Sequence, residues 1–477
     1  MTDRTSKVAL VVAAAVGLPL VAYFAYARPG YFTSPTYLGM VVLIECLIVA
    51  ICLYRRVFFV LLVLSFLFAG AILPLGGMWN SVRWVFLGTG ALVGAVIMLK
   101  EQGHHFGLFH IMATFAVLAA LVSAAVSRYP TFALMKAFSL FLLFVYAGTG
   151  VRLAAKGRES RFFTGLLLAC EVFVAAIGIF YFFGSEVMGN PNSLGAVMGV
   201  VGAPILLWGT LLDDNDFVLR RRQILFAIAV YLAFHSQARA GLAAAFVSCG
   251  LLCVALRRYK LMGQAIIIIL ILVGASAVLN PEAFSSSVSR LTTNVVYKER
   301  DSSLGVFGSR QTPWQGAVES IRKHFWFGSG FGTTDNGQDA SAFLYEYGGY
   351  ATSERVSREN GSSYLTIATW VGVLGVVPFA WLIVLLLGNV ARSILWMLST
   401  RNPSHPAVPL AAVMVAGLVH VAFEDWLFAV GYYLCVFFWS LAFILVDVVP
   451  YSRVSWFSFR WRSRPVSPDL VRVAPIS

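Results

Sequence analysis

The chain has 477 residues, 59% of them hydrophobic and only 12% charged. A soluble domain carries about 25% charged residues, so this chain has too little polarity to clothe a water-facing surface. Its net charge of +13 does not indicate a nucleic-acid partner, because the basic residues sit in short clusters between apolar runs rather than on one face.

In chain order the apolar runs predict about fourteen transmembrane helices, at roughly 8–27, 37–54, 57–76, 83–99, 106–126, 131–150, 162–183, 191–212, 223–238, 240–256, 263–280, 362–388, 407–424 and 429–449. The first follows Arg4 and Lys7 and ends on Ala25-Tyr26-Ala27, which imitates a cleavable secretory signal. Its apolar stretch is longer than an ordinary signal core, and we read it as an uncleaved span. The expected fold is an all-α membrane protein in four parts. Residues 1–280 hold helices 1–11, and 281–361 form one large loop with short helices. Residues 362–449 hold helices 12–14, and 450–477 form a basic tail.

Lys and Arg set the expected orientation. With the N-terminus in the cytoplasm, 22 of them fall in cytoplasmic segments, including Arg55, Arg56, Arg152, Arg158, Arg161 and the run Arg220 to Arg222. Only Arg28, Arg83, Arg128 and Arg239 fall in the short outer connections. Both termini are then cytoplasmic, the protein is multi-pass in a bacterial inner membrane, and loop 281–361 faces out. In the tail, Trp456, Phe457, Phe459 and Trp461 alternate with arginines. They read equally as an inner-leaflet interfacial segment or as a disordered basic end. All six cysteines lie inside apolar runs, which leaves no disulfide framework and no redox pair.

Polar groups at or inside a membrane are costly and each needs a reason. Gly189-Asn190-Pro191-Asn192-Ser193-Leu194-Gly195 opens the eighth span from outside, where Asn192 can cap the helix. His235-Ser236-Gln237-Ala238-Arg239-Ala240-Gly241 turns between two close spans, and Arg239 there must either snorkel or meet an anion. In the large loop, Gly308-Ser309-Arg310-Gln311-Thr312-Pro313-Trp314 leads into a helix, with Thr312 as the expected cap and Pro313 at the first helical position. Arg310 would then stand just before a helix N-terminus, where arginine and dipole can converge on one anion. An aromatic and glycine turn, Phe325 to Gly332, follows; it lacks the strand and the Gly-Lys-Ser of a phosphate loop. Arg358-Glu359-Asn360-Gly361-Ser362-Ser363-Tyr364 enters the twelfth span. Lys136 and Glu171 within spans, and Glu424-Asp425 one turn from His420, are expected to make structural polar pairs, with no ligand spacing for a metal.

Taken together, these elements resemble the O-antigen ligase and Wzy-type polymerase superfamily of bacterial membrane glycosyltransferases. The resemblance rests on the Asn-Pro-Asn opening at Gly189 to Gly195 and the turn at Ser236 to Gly241, where Gln237 and Ala238 depart from the family's Ser-Arg pattern. It rests also on the Gly-Ser-Arg, tryptophan-helix and Gly-Phe-Gly series from Gly308 to Gly332. The entry into a span with Gly372 and Gly375, the Phe423 to Leu427 segment and Phe438-Trp439 complete it. The matched stretch runs from about 189 to 440. The family's ligases carry a histidine where Glu359 or Gly361 stands here, which tilts the reading towards an exopolysaccharide polymerase.

The resemblance implies a donor glycan on a polyprenyl diphosphate, a glycan acceptor, surrounding membrane lipid, and companion polysaccharide-assembly proteins. It implies no cofactor and no metal. Arg239 and Arg310 would stabilise the leaving diphosphate, since arginine's fork suits phosphate oxygens. Glu359 would receive the acceptor's proton. Asn192, Trp314, Arg358, Asn360 and Tyr364 would bind substrate. The alternatives are an O-antigen ligase proper, a transporter or flippase of lipid-linked glycans, and a scaffold protein of a secretion complex. A transporter needs no outer loop with arginines and a capped helix, and a scaffold needs no donor-dependent activity. The orientation is testable with single cysteines at Ser285, Ser341 and Ser467 and an impermeant thiol reagent on intact cells. Ser341 and Ser285 should label and Ser467 should not; the opposite pattern reverses the topology.

Overall fold

The computed structural model describes residues 35–264 apart from 73–75, 102–104, 186, 189, 213 and 214, then 308–333 and 361–450, together with 267, 459–460 and isolated positions within 11–30. The expected spans at 8–27 and 263–280, much of the loop and nearly all of the tail lie largely outside the described residues.

What is described is helical. The exceptions are a two-residue antiparallel pair, β1 (His105–Phe106) with β2 (Phe459–Arg460), and one bridge between Ala71 and Met188. The helices are α1 (Pro35–Cys52), α2 (Phe59–Ala69), α3 (Gly76–Lys100), α4 (Leu108–Ala125), α5 (Pro130–Tyr146), α6 (Arg152–Ala155), α7 (Glu159–Phe182), α8 (Pro191–Val197), α9 (Ala203–Thr210), α10 (Asp216–His235), α11 (Arg239–Ala255), α12 (Gly308–Lys323), α13 (Ser363–Thr400), α14 (Ala407–His420) and α15 (Tyr433–Val448). Among the described residues six helical stretches are long and apolar enough to cross a membrane. They become seven if the segments Leu43–Cys52 and Tyr54–Ala69, bent by 115°, form one broken span. Three apolar helices, α11, α14 and α15, are shorter.

Several boundaries differ from expectation for local reasons. Five-residue π segments connect α5 to α6 (Ala147–Val151) and α8 to α9 (Met198–Gly202), so two expected spans are continuous in course but not in hydrogen-bond register. The cap of α8 is Asn190, not Asn192. The Asn190 side chain accepts from the Asn192 amide at 2.8 Å, and Pro191 takes the first helical position, where it has no N–H to lose. Helix α12 begins at Gly308, so Pro313 lies inside it and Arg310 lies in its first turn rather than before it. Helix α13 runs on to Thr400 and is interrupted at Gly372, where φ is 65°.

The core is centred on α15, whose residues from Tyr433 to Leu445 are all buried. Trp439 packs between Phe144, Phe428 and Phe438. By contrast, α4 and α7 turn large apolar side chains outward (Phe115, Leu118, Leu168, Val172), as expected of faces that meet hydrocarbon. The buried charges are paired. Arg152 makes a two-point bridge to Asp447 at 2.6 and 2.8 Å. Glu171 accepts from Arg222 at 2.8 Å and from Arg221 at 2.6 Å. Lys136 donates to the Gly332 carbonyl at 2.8 Å.

Removing one member of a buried ion pair costs about 3–5 kcal/mol, because the remaining charge stays in a low dielectric, whereas replacing both members with apolar residues is far milder. Glu171→Leu should therefore lower the melting temperature of the purified protein strongly, and Glu171→Leu with Arg222→Met should recover most of the loss. A double variant as unstable as the single one would show that the pair is not the cause.

Candidate functional site

Five of the sequence elements singled out above converge at one end of the bundle. The first two meet through glycine. Helix α11 crosses the α8 segment so closely that a Cβ on Gly199 would overlap the Gly241 carbonyl, and one on Gly241 would overlap the Gly195 carbonyl. Gln237 makes the turn between α10 and α11 possible by adopting φ 54°, a left-handed conformation uncommon for a residue with a side chain. The Ser236 hydroxyl, buried beside Gly195, accepts from the Ala238 amide at 3.2 Å. Arg239 is thus delivered at the first position of α11, next to the opening of α8.

The third and fourth elements are joined across the break in α13. The amides of Val373 and Leu374 donate to the carbonyls of Phe325 and Trp326 at 2.8 and 3.3 Å. In return the amides of Ser329 and Gly330 donate to the carbonyls of Thr369 and Trp370 at 2.9 and 3.2 Å. Gly328 and Gly372 face each other across this junction at positive φ, where a Cβ on either would overlap opposing backbone. The turn is fixed on its other side by Ser127, which donates to the Ser329 carbonyl at 3.1 Å, and by Lys136. The aromatic and glycine turn is therefore a plug that completes α13, and α12 is held above it.

Helix α12 carries Arg310 and Trp314 to the start of α13. Trp314 Nε1 donates to the Gly361 carbonyl at 3.3 Å, and Gly361, at φ 64°, leaves room for the Arg310 side chain. Arg310 Nη2 donates to Glu424 Oε1 at 2.5 Å, with both side chains mostly shielded from solvent. The charge of Arg310 also reaches Arg239 and His420. His420 Nδ1 accepts from Trp426 Nε1 at 2.8 Å, which requires a ring without a proton on Nδ1.

Ser363 organises the segment that bears Glu424. Its amide donates to the Val421 and Glu424 carbonyls at 2.9 and 3.0 Å, and its hydroxyl donates to the Glu424 carbonyl at 2.7 Å while accepting from the Leu427 amide at 3.1 Å. Trp439 Nε1 adds a bond to the Leu427 carbonyl at 2.6 Å. Tyr432 and Tyr433 reach back to Ser193 in the Asn-Pro-Asn element, with Tyr433 Oη donating to the Ser193 carbonyl at 3.1 Å.

Of the expected site residues, Arg239, Arg310, Trp314 and the opening of α8 with Asn192 fall within this assembly. Tyr364 has a structural attachment there, its hydroxyl donating to the Leu418 carbonyl at 3.0 Å. Arg358, Glu359 and Asn360 lie outside the described residues. Glu424 was expected to pair structurally, and its pairing with Arg310 is what brings it into the cluster. His420, Ser363, Trp426 and Tyr432 had no separate sequence signal beyond polar character at a span end. No group of three or more metal-ligating side chains occurs among the described residues.

This is a membrane-embedded helical protein whose polar cluster is assembled from five chain segments at one end of the bundle. Residues 224–380 match the sequence model of the family described as O-Antigen ligase, which supports placing the chain in the O-antigen ligase and Wzy-type superfamily. The matched stretch includes the Arg239 turn, α12, the aromatic and glycine plug and the break in α13; the Asn-Pro-Asn element and Glu424 lie outside it. No curated protein matches the chain significantly.

Ser363 carries at least three bonds to one buried segment, so Ser363→Ala should cost roughly 1–3 kcal/mol through the partners its hydroxyl leaves unsatisfied. Amide hydrogen exchange over 421–427 should rise, and Ser363→Thr should largely restore protection. Unchanged exchange in the alanine variant would show that the hydroxyl does not hold this segment.

Proposed function

We propose that the protein is a membrane glycosyltransferase that transfers or polymerises a polyprenyl-diphosphate-linked glycan on the outer face of the bacterial inner membrane, as a polymerase in exopolysaccharide or O-antigen synthesis rather than as a ligase. The observation that carries this reading is Arg310, paired with Glu424 and packed at the entry to α13, on the same family-matched stretch as the Arg239 turn. Arginine's planar fork suits an anionic ligand with several oxygens.

In this reading Arg239 and Arg310 bind the donor's diphosphate and stabilise the charge that grows on it as the glycosidic bond breaks. Glu424 holds the Arg310 fork in position. Arginine supplies this stabilisation without a metal. The Asn190–Ser193 opening of α8, with Asn192, and Trp314 on α12 flank the sugars, while Arg358, Asn360 and Tyr364 contribute from the entry to α13. Glu359 receives the acceptor hydroxyl's proton. The glycine-lined crossing of α8 and α11 fixes Arg239 to the frame, so the electrostatics are preorganised. The full count of about fourteen spans, the outward orientation of loop 281–361 and cytoplasmic termini belong to the same proposal. The bond from Arg158 to the Arg55 carbonyl, which brings two of the arginines assigned to the cytoplasmic side together, supports it.

A purified-protein assay with a polyprenyl-diphosphate-linked glycan tests the reading. Arg239→Ala and Arg310→Ala should abolish product. Arg310→Ala is read together with the double variant Arg310→Ala and Glu424→Gln, which leaves no stranded carboxylate and should be equally inactive in folded, membrane-inserted protein. Lysine at either position should rescue poorly because it lacks the two-point fork. Glu359→Gln should retain donor binding and lose roughly 10²-fold or more in turnover. Normal product from both alanine variants would remove the arginines from the mechanism, and normal turnover of Glu359→Gln would remove Glu359. Movement of intact lipid-linked glycan across vesicles without any transfer would instead establish a flippase.

A further inference from the structure

A second feature lies away from the polar cluster. Helices α2, α7 and α15 enclose a cleft of about 250 Å³. Its walls are apolar and include Phe59, Val63, Leu166, Phe173 and Phe437, and Val197 and Val201 lie on its α8–α9 side. At its mouth stand four arginines: Arg55 and Arg56 from the π turn Tyr54–Phe58 that precedes α2, and Arg158 and Arg161 from the start of α7.

These arginines crowd one another. Arg158 Nη1 donates to the Arg55 carbonyl at 2.9 Å, and the charges of Arg56, Arg161 and Arg55 all press on Arg158. Glu101 answers Arg55. Arginines gathered at the end of an apolar cleft favour an anionic group there. Apolar walls ending in clustered arginines match an amphiphile with a hydrocarbon tail and an anionic head.

We propose that this cleft binds an anionic membrane phospholipid, with part of one acyl chain between α2, α7 and α15, the rest of the lipid outside the open cleft, and its headgroup phosphate on Arg55, Arg56, Arg158 and Arg161. The 24 residues of α7 separate the arginine end from the end nearest α8 by roughly 36 Å of helix, so this phosphate site is distinct from the Arg239 and Arg310 cluster. The cleft also touches Tyr433, whose hydroxyl bonds Ser193 at the opening of α8. Lipid in the cleft therefore packs directly on a helix that frames the polar cluster.

The test uses the full-length protein in nanodiscs of phosphatidylcholine doped with phosphatidylglycerol, with bound lipid counted by native mass spectrometry. The wild type should retain phosphatidylglycerol selectively. Arg158→Ala with Arg161→Ala should weaken that retention by roughly tenfold or more. Gly165 lines the cleft with open space around its α-carbon, so Gly165→Trp should fill it and expel the lipid while leaving all four arginines and the melting temperature in place. Arg220→Ala with Arg258→Ala, which removes two exposed arginines outside the cleft, should change nothing. Three results would overturn the proposal: no preference for phosphatidylglycerol in the wild type, equal loss in the Arg220 and Arg258 control, or selective retention of added polyprenyl phosphate with no phosphatidylglycerol bound.

Discussion

Every irregular backbone segment in this bundle has to find its hydrogen bonds within the protein, because hydrocarbon offers none. That requirement explains the form of the polar cluster more than any single side chain does. Breaking α13 at Gly372 would strand amides and carbonyls at membrane depth, and the Phe325–Gly330 turn supplies their partners in both directions. The segment after α14 would likewise strand its carbonyls, and Ser363, Cys435 and Trp439 take them up. Glu424 is carried by the second of these segments, and Arg310 by the helix α12 that leads into the first. The catalytic reading thus rests on backbone accounting, and the glycines at Gly328, Gly361 and Gly372 are the positions where that accounting leaves no room for a side chain.

The apolar runs made much of the helical content readable, and the helices from α3 onward overlap expected spans, apart from α6 and the loop helix α12, although α3 and α10 start seven residues early and α13 ends twelve residues late. Length and hydropathy are properties a chain shows locally. What remained hidden was how helices begin and break. Asn190 is the cap because Pro191 takes the first helical position, a signal the order Asn190-Pro191 already carries and the expectation of Asn192 passed over. Thr312 and Pro313 together imitate a helix start, yet α12 already runs through them from Gly308, with Arg310 of its first turn bonded to Glu424. The π segments have no signal in residue type.

For the polar cluster, the order of short motifs was legible and their convergence was inferable only by resemblance. The pairing of Arg310 with Glu424 joins residues 114 positions apart, and nothing in the local sequence of either names the other. Glu424 looked like one more span-end acid. Ser363 looked like one of two adjacent serines, although its neighbour Ser362 makes no side-chain cap and Ser363 clamps a distant loop. Small polar residues carry this kind of long-range role without any periodicity that would reveal it.

The burial of α15 has a consequence for how the protein is made. This helix, closest to the C-terminus of those described, contributes Trp439, Phe438 and Phe443 to the very middle of the bundle. During synthesis every preceding helix enters the membrane before its central packing partner has left the ribosome. Until then the groove that α15 will fill stands open to lipid, and Arg152 awaits its partner Asp447. The centre of the bundle is therefore filled by a helix that emerges after the packing partners it joins, and a chain that stops short of Tyr433 lacks its keystone rather than its edge.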